Sequence, residues 1–225
     1  MTTATLTQLN ALTGGLFLLC TFGIVAMRQV LGILKMFILQ SIFLSISAFL
    51  LGYIHMSIHL FAVAALTLMV KPLLIPYLLK RMVGNEVTAR REISQLVDIP
   101  SSLLIAVLLT ILSYFIANHL LSNTTPIISK VNLPIGLACL LLGAYTIIVR
   151  QEAVAQTIGI LTMENGAFFA GVSIAPDLPL IAEVAAAFDV LIIAIVMGLL
   201  ARKIYEKVGI TTVGEMNHLR EVEKL

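Results

Sequence analysis

Four ionisable side chains lie inside long apolar runs, where a charge is costly. Glu164 lies in the run LTMENGAFFAG and Lys71 in MVKPLLIPYLLKR, whereas Glu183 and Asp189 lie in the last apolar stretch of the chain. An ionisable residue inside a membrane segment usually faces a protein interior or a water pocket and marks an ion or proton path. These four residues are therefore candidate relay groups for protons or sodium ions.

Glu164 has the surroundings that a proton carrier needs. It lies about 10 residues into its apolar run, which at about 1.5 Å per residue is near the centre of a hydrocarbon core about 30 Å thick. Burial there penalises the charged carboxylate, so the group can be neutral or ionised near working pH. Asn165 offers a hydrogen bond, and Gly166 lets a neighbouring helix or water come close. The alternative is a structural glutamate that is hydrogen bonded to another helix.

Lys71 lies about nine residues from the basic end of its run, too deep to reach the cytoplasmic interface easily. Pro72 and Pro76 follow it, and each removes a backbone donor, so carbonyls one turn earlier lose their partners. Freed carbonyls are tolerated in a membrane where a polar group or water fills the gap. A buried lysine can release its proton reversibly. The alternative is a lysine that pairs with an acid such as Glu164 or Asp189 purely for packing.

Glu183 and Asp189 differ in depth. Asp189 lies near the middle of its run, whereas Glu183 is closer to the outer end. Their separation of six residues corresponds to about 240° at 3.6 residues per turn, so they point to different faces. Asp189 is the better candidate for an internal relay, and Glu183 can equally lie in outer interfacial water.

The remaining polar candidates are weaker. His55 and His59 are four residues apart at the outer start of the third run, which predicts one shared helix face. Such a pair can bind a metal, but no third ligand is apparent, so both are interpreted as interfacial polar residues. His59, Asn165 and Lys35 are secondary candidates for the pathway, although Lys35 is near enough to the membrane surface to reach it. No catalytic, cofactor or metal site is predicted in this chain.

Composition places the chain in a membrane. Of its 225 residues 60% are hydrophobic and 12% are charged, against about 45–50% and about 25% in soluble domains. That leaves too little polar surface for an ordinary cytosolic enzyme. Cys20 and Cys139 both lie in apolar runs and are expected to be buried free thiols. Seven segments are long enough to cross a bilayer, at roughly 9–27, 31–53, 57–79, 100–121, 133–149, 154–174 and 180–201.

The basic residues predict the orientation. With the N-terminus outside, 11 of the 14 Lys and Arg face the cytoplasm, Lys35 and Lys71 lie within spans, and Lys130 alone faces outside. This asymmetry is the positive-inside pattern of multi-pass membrane proteins. An odd number of spans also places the basic tail, and hence the C-terminus, in the cytoplasm.

A short internal repeat predicts the architecture. The segment RQVLGILKM at 28–36 shares Arg-Gln and Gly-Ile-Leu-x-Met with RQEAVAQTIGILTM at 150–163. Each copy opens the second span of a triplet, so we expect an all-α membrane protein of two parallel three-helix units joined by one extra helix. The predicted divisions are a first unit at 1–82, a cytoplasmic loop with a connecting helix at 83–132, a second unit at 133–203 and a cytoplasmic tail at 204–225.

The chain resembles the hydrogenase-4 component E family over nearly its whole length. The resemblance rests on VKPLLIPYLL at 70–79, TMENGAFFAG at 162–171 and DVLIIAIVMGLLARKIY at 189–205. The last three spans are also similar to the K subunit of respiratory complex I and to the C subunit of cation/proton antiporters that are built from several different proteins. In that K subunit, the second and third helices contain membrane glutamates. Glu164 fits the first position, and either Glu183 or Asp189 the second, whereas the first triplet has Phe37 opposite Glu164.

The resemblance implies a small non-catalytic subunit of a group 4 nickel–iron hydrogenase or formate hydrogenlyase-like complex in the inner membrane of a prokaryote. The soluble arm of that complex would carry the redox centres, and this chain would hold no cofactor. The implied partners are large antiporter-like subunits, a membrane protein like the H subunit of complex I, the lipid bilayer and, indirectly, the soluble arm, with no nucleic acid. The alternatives are a subunit of a cation/proton antiporter or of an antiporter-like inorganic-carbon uptake complex, and a purely structural adaptor.

Overall fold

The computed structural model describes residues 3–77, 96–121 and 125–174, together with Ile195 and Leu199. All regular structure in these ranges is helical. In chain order the helices are α1 (Thr3–Ala26), α2 (Val30–His55), α3 (Ile58–Met69), α4 (Ile99–Leu120), α5 (Ile127–Val149) and α6 (Ala153–Ile174). A π-helical turn, Val70–Leu74, continues α3.

Six helices are long and apolar enough to cross a bilayer, with the third spanning Ile58–Tyr77. The six fit a multi-pass membrane protein, and the predicted all-α class is confirmed within the described residues. Apart from Ile195 and Leu199, the seventh predicted span, 180–201, lies outside the described residues, as do Glu183, Asp189 and the tail. The count of seven, the sidedness and the predicted divisions of the chain therefore stay predictions.

Two helices begin earlier than the apolar runs predicted. Helix α1 begins at Thr3 and not near residue 9, and α5 begins at Ile127 and not near 133. The missed turns contain polar residues that a search for apolar runs avoids, among them Gln8 in α1 and Asn132 in α5. Asn132 is hydrogen bonded inside the bundle, its Oδ1 accepting from Asn10 Nδ2 over 3.1 Å. Polar residues whose hydrogen bonds are satisfied can lie inside a membrane helix, which is why the runs predicted too little helix.

The core of the bundle consists of two helix hairpins. Helix α1 packs on α2 and α5 packs on α6, and the hairpins meet through contacts of α1 with α5 and of α2 with α6. Helix α3 lies against α2, and α4 lies against α5. Three residues connect the two helices of each hairpin, 27–29 in the first and 150–152 in the second. The two Arg-Gln copies therefore occupy equivalent connections, although the duplication itself stays a prediction.

Arg150 ties the two hairpins together at these connections. Its side chain is 2% exposed, and its Nη2 donates to the carbonyls of Ile24, Val25 and Met27 at 3.2, 2.7 and 2.7 Å. These carbonyls lie at the end of α1. The last carbonyls of a helix have no N–H partner within the helix, and the helix dipole gives this end a partial negative charge. Burial lowers the pKa of Arg150 to about 10, so the guanidinium remains protonated at neutral pH and can cap the helix.

Glycines bring α5 and α6 into backbone contact. A Cβ added to Gly136 would lie 2.6 Å from the Ala170 nitrogen, and one added to Gly143 would lie 2.5 Å from the Met163 nitrogen. A Cβ on Gly166 would collide with the Leu140 nitrogen. The contacts run in opposite directions along the two helices, as in an antiparallel pair. Small residues permit this approach in membranes, where packing drives helix association.

Replacing Gly166 with alanine should therefore separate α5 from α6. The obstacles are backbone atoms, including the Gly136 carbonyl oxygen 2.7 Å from the added Cβ, and they cannot rotate away. We expect Gly166→Ala to lower the free energy of unfolding by about 1–3 kcal/mol, the usual cost of overpacking. Reversible unfolding in mixed micelles measures it. Gly171→Ala on the same helix is the control, because nothing lies within 4 Å of its added Cβ; equal effects of the two substitutions would contradict the account.

Candidate functional site

Lys71 lies in the π-helical turn of the third span. The Ile75 amide donates to the Val70 carbonyl five residues earlier, one residue further back than in an α-helix. Pro72 lacks the N–H that the regular ladder would use here, which gives a local reason for the widened turn. Single π-turns within helices occur frequently at functional sites. The turn holds Lys71 with only 4% of its surface exposed.

The Lys71 amine contacts two neighbouring side chains of α6. Its Nζ lies 2.9 Å from Glu164 Oε1 and donates to Asn165 Oδ1 over 2.7 Å. The same nitrogen lies 5.4 Å from the centroid of the Phe168 ring, within the range of a cation–π contact. Successive helix residues are about 100° apart, so adjacent Glu164 and Asn165 can flank one amine. The structure thus brings three of the sequence candidates together: Lys71, Glu164 and Asn165.

Exposure differs between the two charged partners. The Lys71 side chain is 5% exposed and that of Glu164 is 24% exposed. Glu164 therefore lies on the side from which the pair can be reached within the described bundle, and Lys71 lies behind it. A group that enters or leaves the pair would do so past the carboxylate.

Behind the pair, hydrogen bonds continue across the bundle. Asn165 Nδ2 donates to Gln40 Oε1 over 3.2 Å and to Ser41 Oγ over 3.3 Å. Gln40 Nε2 donates to Thr21 Oγ1 over 2.8 Å. Thr21 Oγ1 also lies 3.1 Å from Cys139 Sγ, and its hydroxyl lies 3.1 Å from the Phe17 carbonyl. We call this set the Lys71 network; its members are Lys71, Glu164, Asn165, Gln40, Ser41, Thr21 and Cys139.

The amine of Lys71 fixes which atoms donate and which accept in the hydrogen bonds that run through Asn165 and Gln40. An amine donates, so the amide of Asn165 must turn its oxygen toward Lys71 and its nitrogen toward Gln40. The Gln40 amide must then accept with its oxygen and donate to Thr21 with its nitrogen. Each amide has one arrangement that satisfies both neighbours. The amides therefore orient Lys71 but do not themselves take up or release protons at working pH.

Proton exchange in the network is confined to Lys71 and Glu164. They are the two groups of the network that readily change charge, and one hydrogen bond of 2.9 Å joins them. Transfer along this bond converts ammonium and carboxylate into amine and carboxylic acid without changing the net charge of the pair. After the transfer, the lone pair of the amine accepts from the new carboxylic acid O–H, and a remaining N–H still donates to Asn165 Oδ1, so both contacts with α6 survive. The site can change its protonation without rearranging its heavy atoms.

The other sequence candidates lie apart from the network. Lys35 is exposed on α2, and His59 is exposed near the start of α3. The expectation that His55 and His59 share one helix face is wrong, because His55 ends α2 and a left-handed residue, Met56 with φ 51°, separates the helices. No group of three or more His, Cys, Asp or Glu in the described ranges could hold a metal. Glu183 and Asp189 lie outside those ranges.

Gln40, Ser41 and Thr21 belong to the network although their sequence context did not single them out. Each is buried, with 0% of its surface exposed, inside an apolar run. A search for amides and hydroxyls, and not for ionisable groups alone, would have found Gln40 in the first half of α2. Cys139 is buried and free, as expected, and so is Cys20. Phe37, aligned with Glu164 by the repeat, lies in an apolar cluster with Ile24 and Ile158.

A double-mutant cycle tests the energetic coupling of Lys71 with Glu164. We expect Lys71→Met to lower the free energy of unfolding by about 3 kcal/mol, the low end of the range for breaking a buried pair, because Glu164 is partly exposed. In the Lys71→Met background, Glu164→Leu should lower the free energy of unfolding by less than it does in the wild type, the difference being at least about 1 kcal/mol. Unfolding in mixed micelles measures all four proteins. Additive effects of the two substitutions would show that the pair is not coupled.

Comparisons with known proteins give one relative of full length. The uncharacterized protein Rv0085 from Mycobacterium tuberculosis is 31% identical over 208 residues, which covers 92% of this chain and 94% of the relative. No family model matches the chain. No solved structure matches it either.

Proposed function

The chain belongs to the same family as the uncharacterized protein Rv0085 of Mycobacterium tuberculosis, and we propose that it is a membrane subunit of a redox-driven, ion-translocating complex. Its role is to supply acid and base groups to a proton or sodium pathway. Within that proposal the parent complex is a hydrogenase or formate hydrogenlyase-like assembly, as the resemblance to hydrogenase-4 component E implies. The chain itself is non-catalytic and holds no cofactor.

The observation that supports the proposal best is the buried contact of Lys71 with Glu164 and Asn165, at 2.9 and 2.7 Å. Removing an ammonium and a carboxylate from water costs several kcal/mol for each ion, and replacing such a pair with apolar residues is often neutral or stabilising. Stability alone is therefore a weak reason to place the pair inside membrane-spanning helices. Ionisable groups at such depth typically serve ion and proton movement.

The proposed cycle uses the difference in exposure between the two groups. A proton reaches the carboxylate of Glu164 from its exposed side and neutralises it, which leaves Lys71 as an ammonium held by Asn165. Repulsion between this ammonium and an approaching cation then opposes a second entry. Release of the proton restores the ion pair. The redox reaction would drive the cycle by changing the charge or the water near Glu164.

The exposed side of Glu164 is also where a neighbour would contribute. We propose that further polar groups continue the pathway from this side. They come from large antiporter-like subunits, from a membrane protein like the H subunit of complex I, or from this chain's own Glu183 and Asp189. The same proposal includes seven spans in two parallel three-helix units joined by one extra helix. The N-terminus is then outside and the tail is cytoplasmic, in the inner membrane of a prokaryote.

Ion transport by the intact complex tests the proposal. Inverted membrane vesicles that contain the native complex are supplied with its redox substrates, and quenching of a pH-sensitive dye reports proton uptake. We expect Glu164→Gln to retain assembly and electron transfer measured with a protonophore, yet to lose most proton uptake, because glutamine cannot take up a proton. Glu164→Asp should restore part of it.

Asp98→Asn is the matched control. Asp98 is an exposed carboxyl residue immediately before α4 and lies outside the network, so proton uptake should be unchanged. If Glu164→Gln assembles and moves as many protons per electron pair as the wild type, the pathway role is wrong. A structural adaptor, in which the pair only fixes helix packing, would then be the better account.

A further inference from the structure

A second group of buried polar side chains lies nearer the beginning of α1. Asn10 Nδ2 donates to Asn132 Oδ1 over 3.1 Å, and the hydroxyl of Ser47 donates to Asn10 Oδ1 over 2.6 Å. Asn10, Ser47 and Asn132 are 1%, 1% and 0% exposed. They come from α1, α2 and α5, three of the helices that also supply the Lys71 network. We call these three residues the Asn132 cluster.

One polar atom of the Asn132 cluster has no partner among the described residues. Asn132 Nδ2 is buried and makes no hydrogen bond there. Exchanging nitrogen and oxygen in Asn132 alone would set two donors against each other. Exchanging them in both asparagines keeps the cluster bonded, but then the Asn132 oxygen is left over. In either arrangement one polar atom of Asn132 requires a further partner.

Water is the ligand that fits this requirement. A buried amide hydrogen without a partner costs about 1–3 kcal/mol, and ordered buried waters typically satisfy such groups in proteins. The cluster has no charged side chain to hold an ion. Water can accept from an N–H or donate to a carbonyl oxygen, so it suits either orientation of the amide.

An aromatic stack separates the Asn132 cluster from the Lys71 network. The rings of Phe17 and Phe169 are stacked with centroids 4.8 Å apart and an interplanar angle of 11°. Leu44, Ile135 and Cys139 pack in the same apolar cluster. Along α1, Phe17 is seven residues after Asn10 and four before Thr21, spacings that place all three on one face. The stack therefore lies on the same helix face between the two polar groups.

We propose that the Asn132 cluster binds a buried water molecule at Asn132 and that the Phe17–Phe169 stack keeps this water from the Lys71 network. The significance for transport rests on the proposed function, since the water would extend a polar path along α1 that the stack interrupts. Rotation of either ring would connect the Asn132 cluster to the Lys71 network. Gly14 lets the Phe169 ring pack close to α1, because an added Cβ would lie only 3.1 Å from Phe169 Cζ, tighter than an ordinary contact.

Water-edited solid-state NMR of the full-length, isotope-labelled protein in bilayers tests the water site. Magnetisation transferred from water should appear at the side-chain amide of Asn132, whose signal is assigned by its loss in Asn132→Ser. The amide of Asn165 should receive little, because both of its hydrogens are already directed to Gln40 and Ser41. A wild-type spectrum without transfer to Asn132 would overturn the proposal, and this measurement needs no stability of any Phe variant.

Variants of the stack test the separation. We expect Phe17→Ala to raise the transfer from water to Asn165 several-fold, and Phe17→Leu to raise it less while preserving more packing. Phe49→Ala is the control, because Phe49 forms an aromatic pair with Phe61 but is 52% exposed and lies away from the stack. If both Phe17 variants fold and leave Asn165 as dry as in the wild type, the stack is not the barrier. A Lys71–Glu164 pair that carries no ions would leave these spectra unchanged.

Discussion

The hydrogen bond from Lys71 to Asn165 is the interaction on which the Lys71 network depends. It fixes which way the Asn165 amide points, and that orientation fixes Gln40 and then Thr21, so four helices are aligned by one amine. Because an unsatisfied polar group is costly in the protein interior, this series of hydrogen bonds has few alternative arrangements. The same bond holds Lys71 beside Glu164, so the arrangement that orders the bundle also creates a pair of groups that can exchange a proton.

Backbone contact between α5 and α6 is the second constraint. Gly166 follows Asn165 directly, so the residue that lets α6 touch α5 adjoins the residue that receives Lys71. Displacing α6 would move Glu164 and Asn165 relative to the π-turn of the third span. The geometry of the site is therefore set by helix packing immediately beside it, and its two charged partners come from separate helices of the bundle.

Apolar runs were enough to predict the membrane class and six helices near their observed places, because hydropathy and length decide whether a segment can cross a bilayer. Depth within those runs singled out Lys71 and Glu164, which the structure brings together; their role in transport stays a prediction. Gln40 and Thr21 were not found, since uncharged polar residues in apolar runs reveal their partners only when the helices are packed. The early starts of α1 and α5 were not predicted because their first turns contain polar residues, among them Gln8 and Asn132, which interrupt an apolar run.

Infrared difference spectroscopy of the intact complex, comparing its oxidised and reduced states, tests most directly whether the carboxyl group of Glu164 changes protonation during turnover. We expect a carboxylic acid C=O band that appears or disappears with the redox change, shifts in D₂O and is absent from Glu164→Gln. Difference spectra of wild type and Glu164→Gln that agree throughout the carboxylic acid region, in complexes that both translocate ions, would contradict it.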